Sequence, residues 1–271
     1  MIPKCNLHTH TLYCDGRHSV EEMVIAAIAE GCKTLGFSGH SPRPDNPWWC
    51  MAEPKLPRYI EDVKRCAAEY ADKIEIVLGI EVDSHSVMDI SGFEYVIGSA
   101  HAIEKDGRYY DVDCAEDEMQ ETVKEQFGGD IFAYVKEYYD ELCRLPEKQR
   151  FDIVGHFDLI TKYNENFKYF DVNDPRYRKM ALDTLDVFLE KDYIFEMNTG
   201  AISRGYRKQA YPADFILKRM VEKGAKIMLN SDCHARNAIL FYFEESVEYA
   251  RSCGVKSLVV MENKKFREFG I

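Results

Sequence analysis

Residues 7–10 read Leu-His-Thr-His at the end of the first apolar run, and residues 232–234 read Asp-Cys-His at the end of one of the last. In an extended chain, side chains at i and i+2 point to the same face. His8 and His10 can therefore meet at one point, and so can Asp232 and His234. Imidazole nitrogen and carboxylate oxygen are preferred ligands of zinc, manganese and iron. Six of the eight histidines, His8, His10, His40, His101, His156 and His234, fall at or just after the end of an apolar, strand-like run. Asp15, Glu81 and Asp232 add carboxylates. Glu81 directly follows the apolar run 74–80, a good position for a ligand shared between ions. A lone histidine at a strand end is more often a satisfied polar residue than a ligand; the ordered set is what points to metal. Nine donors exceed the needs of one tetrahedral ion and fit two or three ions that share carboxylates. His18 and His85 lie in polar stretches and read as ordinary polar histidines.

These residues must be held by strands whose ends converge. Strand-like runs are expected at residues 4–9, 34–39, 75–81, 95–100, 152–156, 193–197, 226–230 and 257–260. Helical patterns fall between them at 20–30, 57–70, 130–145, 175–190, 212–223 and 244–253. Ser19 suits the N-cap of the first helix, with Glu21 and Glu22 in its first turn and Gly31 just past its end. Strand–helix alternation over some 250 residues implies an α/β protein with a parallel sheet. An open sheet would spread the ligand candidates along an edge, whereas a barrel brings all strand ends to one mouth. The expected architecture is a single-domain, distorted (β/α)7 TIM-like barrel over residues 1–271. The proline-rich stretch 41–57, with Trp48 and Trp49, and the acidic stretch 106–117 read as loops at the mouth.

Bulk composition narrows the partners. Hydrophobic residues make up 46% and charged residues 30% of the chain, a soluble globular balance. No apolar run reaches the roughly 18–20 residues of a membrane span. The net charge of −12 comes without a basic stripe, which argues against a nucleic-acid partner. Nine scattered cysteines, none in a Cys-x-x-Cys pair, suit free thiols in a reducing, cytoplasmic setting. Nothing in the sequence specifies an oligomeric state.

Taken in order, His8-Thr9-His10, Asp15-Gly16, Ser38-Gly39-His40-Ser41-Pro42, Gly79 to Glu81, Gly98-Ser99-Ala100-His101, Gly155-His156, Asn198, Gly200 and Ser231-Asp232-Cys233-His234 resemble the polymerase-and-histidinol-phosphatase (PHP) superfamily. They resemble most its monofunctional histidinol-phosphate phosphatases, over residues 1 to about 240. The resemblance implies a distorted seven-stranded barrel around a trinuclear centre. It assigns His8, His10, Glu81 and Asp232 to one ion, and Asp15, His40 and His234 to a second. The third takes His101 and His156, with Glu81 bridging. Several branches carry histidine where this chain has Asp15, and a carboxylate there makes a harder site that favours manganese or iron over zinc.

The implied reaction is hydrolysis of a small phosphorylated substrate, L-histidinol phosphate, in histidine biosynthesis. A metal-held hydroxide is the nucleophile, and Glu81 and Asp232 are the catalytic carboxylates. Other branches act on phosphotyrosine or nucleotides. No Gly-x-Ser-x-Gly or Cys-x5-Arg motif asks for a covalent intermediate. For the phosphate, Arg204 matches an arginine that family members use, and Lys162 a position where some relatives carry a basic contact. Arg207, Arg43 and Arg17 also fall on expected mouth loops. Asp83, Glu104 and the tryptophan loop are available to a cationic part of the substrate.

Overall fold

Each apolar run becomes a strand with both faces covered, one by the barrel interior and the other by helices. The structure, a computed structural model, describes residues 1–43, 45–46, 48–86 and 88–271. The chain begins with β1 (Cys5–Asn6), α1 (Val20–Ala29), β2 (Thr34–Phe37), α2 (Leu56–Glu69) and β3 (Glu75–Asp83). β4 (Tyr95–Ser99) follows β3 with no helix among the described residues between them. It leads into a hairpin, β5 (Ala102–Lys105) and β6 (Arg108–Asp111), and two helices, α3 (Glu116–Gln126) and α4 (Ile131–Lys148). Then come β7 (Ile153–Val154), α5 (Pro175–Leu189), β8 (Ile194–Asn198), the single turn α6 (Gly200–Ser203), α7 (Asp214–Glu222) and β9 (Lys226–Asn230). The chain closes with α8 (Phe243–Ser252), β10 (Ser257–Glu262) and β11 (Lys265–Gly270). Ser19 caps α1 as expected, in a reciprocal box with Glu22. No helix among the described residues is long and apolar enough to cross a membrane.

Strands β1, β2, β3, β4, β7, β8 and β9 are parallel neighbours in that order, so their C-terminal ends share one rim. At this rim the sheet closes on itself. Thr9 bridges Cys233, His10 N donates to the Cys233 carbonyl at 2.9 Å, and Cys233 N donates to the His8 carbonyl at 3.1 Å. At the opposite rim β1 and β9 part, and the β10–β11 hairpin fills the gap. Val259 of β10 pairs with Met228, and Met261 O accepts from Thr34 Oγ1 at 2.8 Å. The fold is thus the expected distorted seven-stranded barrel, closed directly at the mouth and wedged open at the base.

The interior is a small apolar plug of Cys5, Leu7, Val77, Tyr95, Ile97, Ile153, Ile194, Met228, Val259 and Met261. Tyr95 fills its centre, and its hydroxyl donates to the Leu7 carbonyl at 2.5 Å. The ring leaves no room at Gly79, where a Cβ would stand 2.2 Å from it. A larger cluster lies outside the barrel, between strands and helices.

Three local expectations change. The run 4–9 pairs as a regular ladder only at Cys5–Asn6, because the residues beyond turn inward toward the centre of the mouth. The stretch 106–117 is not one loop: Asp106 and Gly107, both at positive φ, make the turn of the β5–β6 hairpin, and α3 begins at Glu116. Strand β11 was not foreseen, since its residues are mostly exposed and give no apolar run.

Candidate metal centre

All nine expected ligands meet at the mouth. His8 and His10 follow β1, and Asp15 sits on the next turn. His40 follows β2 and bridges Glu81 near the end of β3. His101 lies two residues past β4, His156 two past β7, and Asp232 two past β9. Asp232 takes a left-handed backbone, φ 48°, which aims its carboxylate back at the centre. Gly200 leaves room for it, because a Cβ there would stand 2.6 Å from Asp232 Oδ2.

The spacing of donor atoms fits metal. Donors on a tetrahedral ion at about 2.1 Å stand roughly 3.4 Å apart. His8 Nε2 lies 3.3 Å from Glu81 Oε2, and His10 Nε2 lies 3.6 Å from Glu81 Oε2 and 3.2 Å from Asp232 Oδ1. His101 Nε2 and His156 Nε2 are 3.2 Å apart and stand 3.3 and 3.1 Å from Glu81 Oε1. His234 Nε2 is 3.0 Å from Asp15 Oδ2, and His40 Nε2 is 3.7 Å from Asp15 Oδ1. The two oxygens of Glu81 thus face different groups of imidazoles. Among the described residues, His8 Nε2 and His10 Nε2 are buried with no hydrogen-bond partner. Two buried nitrogens without a hydrogen-bond partner, aimed at carboxylates, are donors that fit a cation.

Behind the ligands stand two carboxylates whose positioning role the sequence did not reveal. Glu196, in the middle of β8, lies 2.7 Å from His8 Nδ1 and accepts from His156 N at 2.9 Å. Asp83 Oδ2 lies 3.0 Å from His101 Nδ1 and accepts from His101 N at 2.9 Å. Each sets its imidazole so that Nε2 faces the centre, the arrangement that orients histidine ligands in metal sites generally. A glutamate inside the buried strand Ile-Phe-Glu-Met-Asn was the available signal for Glu196. By sequence, Asp83 is one of several groups available to a cationic part of the substrate. It is instead buried and committed to His101 and Arg43.

The electrostatics follow from this density of charge. Burial works to raise the Glu81 carboxyl, yet His8, His101 and His40 hold it well below its usual range. Burial also opposes ionisation of Asp232, which Arg204, His8 and His10 overcome. Against burial, Glu81 and Asp83 push His101 up to about 10. His40 goes the other way, to about 4, because burial and the neighbouring His10 outweigh the carboxylates. The centre is a nest of ionised carboxylates that draws cations.

The basic candidates separate. Arg204 reaches the cluster: Nη1 lies 2.9 Å from His234 Nδ1, and Nη2 donates to Asp232 Oδ2 at 3.2 Å. Arg17 and Arg204 line a cavity of about 480 Å³ with Asp15, His234, Tyr206 and Phe241. Lys162 is mostly buried and bound to Asp113. Arg43 and Arg207 do not behave as free phosphate binders. The Arg43 side chain is buried among Asp45, Asp83 and Asp111 and lies over Trp49, whose indole abuts His40 and His101 at 4.6 and 5.3 Å. Arg207 donates to Thr161 and lies over Tyr211. Both shape the mouth from behind. Glu104 is exposed on β5, and among the described residues neither His18 nor His85 belongs to a ligand group.

Comparison with known proteins agrees with this geometry. Residues 6–200 match the family model described as PHP domain. A probable histidinol-phosphatase of Deinococcus radiodurans is 30% identical over 97% of this chain and 99% of its own. The histidinol-phosphatase of Bacillus subtilis is 23% identical over 89% of this chain and 97% of its own. Among solved structures, a putative histidinol phosphatase of Listeria monocytogenes shares the fold with a TM-score of 0.74 at 22% identity, covering 86% of this chain and 96% of that one. The histidinol phosphate phosphatase of Lactococcus lactis, complexed with zinc, L-histidinol and phosphate, gives a TM-score of 0.68 at 18% identity, covering 97% and 98%.

Proposed function

The chain belongs to the PHP domain family, and on that premise we propose that it is a metal-dependent phosphomonoesterase that hydrolyses L-histidinol phosphate to L-histidinol and phosphate in histidine biosynthesis. The observation that carries the reading is the convergence of nine ligand side chains with Arg204 laid against them. Relatives named for this activity match this chain over nearly their whole length.

Two to three divalent ions, zinc, manganese or iron, are assigned to the site. His8, His10, Glu81 and Asp232 would hold one. Asp15, His40 and His234 would hold the second, and His101 and His156, with Glu81, the third. Such ions make water nucleophilic near neutral pH and offset the charge that builds on phosphoryl oxygens. The rest is work for the protein. Glu196 and Asp83 keep a proton on Nδ1 of His8 and His101, so that each presents a bare Nε2. Arg204 leaves Asp232 and His234 to clamp a phosphate oxygen, a charge-assisted contact that strengthens as the transition state gains charge. Lys162 and Arg17 add positive potential at the rim. Asp232, held ionised by Arg204, His8 and His10, would serve as a ligand, take the proton that the attacking water gives up and pass it to the leaving alkoxide. His18 and His85 lie elsewhere, on Arg236 and on Glu141 with Tyr109. No covalent phosphoenzyme is expected, so a chirally labelled phosphate should be inverted by one in-line displacement.

A substrate panel on metal-loaded protein tests the reading. L-histidinol phosphate should exceed phosphotyrosine and 3′-phosphonucleotides in kcat/KM by a wide margin. Preference for either rival would reassign the chain to another phosphoesterase of the same fold.

A further inference from the structure

The ammonium of Lys162 occupies a cage suited to any primary ammonium. Nζ donates to Asp113 Oδ1 at 2.5 Å and to the Cys114 carbonyl at 3.1 Å. The rings of Tyr163 and Tyr206 lie 4.9 and 4.6 Å from it. A carboxylate, a carbonyl and two π faces make up the recognition set for such a cation. The cage borders the metal centre. Val112 N and Asp113 N both donate to the carbonyl of the ligand His101, at 2.6 and 3.4 Å. Tyr206 also lines the cavity that holds Arg204, His234 and Asp15. The Asp113 side chain is 25% exposed against 9% for Lys162, so the carboxylate is the more accessible member of the pair, and Arg204 and His101 are near enough to act on its charge. Among the described residues, its Oδ2 accepts no hydrogen bond, while Oδ1 is taken by Lys162. Its close pairing with the Lys162 ammonium is that of an ionised carboxylate.

Histidinol phosphate is itself an ion pair in one molecule, with the ammonium on the carbon next to the one bearing the ester oxygen. We propose that Asp113 is the specificity-determining residue for that ammonium, and that the substrate opens the Lys162–Asp113 pair, sending Lys162 to the phosphate while its own ammonium takes the place on Asp113. The proposal rests on the substrate reading above. One ion pair within the protein is exchanged for two with the substrate, and no buried charge is left alone. A phosphomonoester without an ammonium cannot complete the exchange: drawing Lys162 to its phosphate would strand Asp113, which is costly in a partly buried site. Selectivity then comes from the penalty on the wrong substrate as much as from the contact with the right one.

The test compares L-histidinol phosphate with its des-amino analogue, 3-(imidazol-4-yl)propyl phosphate, on full-length protein whose metal content is measured. Wild type should favour the amine by about 100-fold or more in kcat/KM. Asp113→Asn should lose at least about tenfold more on histidinol phosphate than on the analogue, collapsing the ratio, while Asp113→Glu, which keeps the charge, should retain most of it. An unchanged ratio in Asp113→Asn, or equal losses on both substrates at unchanged metal content, overturns the proposal. A wild-type protein that ignores histidinol phosphate yet hydrolyses another phosphomonoester overturns the substrate reading, and this proposal with it.

Discussion

The two sides of the metal centre are built differently. On one side the side chains of His8, His10 and Glu81 are 0% exposed, and Glu196 is buried behind His8. On the other, Asp15 is 30% and His234 17% exposed, and the far nitrogen of His234 lies against Arg204 and against the carbonyl and carboxylate of Asp232, itself a member of the cluster, rather than against a separate positioning carboxylate. The inner side is buried and preorganised; the outer side opens on the cavity of about 480 Å³. The difference suggests that the inner ligands provide permanence and the outer ones exchange.

The sharpest way to break that comparison is Glu81→Gln, since both Glu81 oxygens sit among imidazoles. Removing a buried counter-charge typically costs about 3–5 kcal/mol, on the order of 10²–10³-fold or more in rate. At least two ions should be lost together, read by elemental analysis alongside kcat; full metal content would show that the inner side does not depend on it. Next comes Arg204→Ala, which should cost about 2–4 kcal/mol, roughly 30- to 1000-fold in kcat/KM. Its metal content should be unchanged, and an intact specificity constant would mean that Arg17 or Lys162 holds the phosphate. Glu196→Gln should lower metal affinity or activity by about 10- to 100-fold, although the residue touches neither metal nor substrate; chelator competition would show this, and wild-type affinity would remove its positioning role. The narrowest effect is expected from Asp15→Asn, selective loss of one ion at the outer side, with the others retained through dialysis. Loss of every ion would make the two sides one cooperative unit and erase the distinction.

The sequence carried the cluster of candidate ligands that the structure gathers, because period-two spacing at strand ends is a local pattern, visible at His8-Thr9-His10 and Asp232-Cys233-His234. It carried the barrel because six strands supplied candidate ligands, histidines from five of them and Glu81 from the sixth, that only one mouth could gather. The positioning carboxylates were less visible, because their roles depend on partners far along the chain: Glu196 acts on His8 across 188 residues. Arg43 and Arg207 looked like Arg204 in sequence, since loop position says nothing about which acids a guanidinium will meet. The β5–β6 hairpin was readable in principle from Asp106-Gly107, but its acidic surroundings resembled an irregular loop. Helix α3 stayed hidden because only Met119 and Val123 of its residues are buried.

The hairpin wedged into the base of the barrel has a consequence for the order of assembly. Strand β10 belongs to the inner plug through Val259 and Met261, yet it follows the last ligand, His234, by more than twenty residues. During synthesis β1 must therefore wait beside an unfilled edge until residues near 261 emerge. The contacts that bring His8 against Cys233 span 225 residues, and contacts of such long range slow folding. A chain arrested before β10 would hold every residue needed to bind metal while lacking the stave that fixes their spacing. Release of the final strands, rather than synthesis of the last ligand, should be the moment at which the nascent chain becomes able to retain ions.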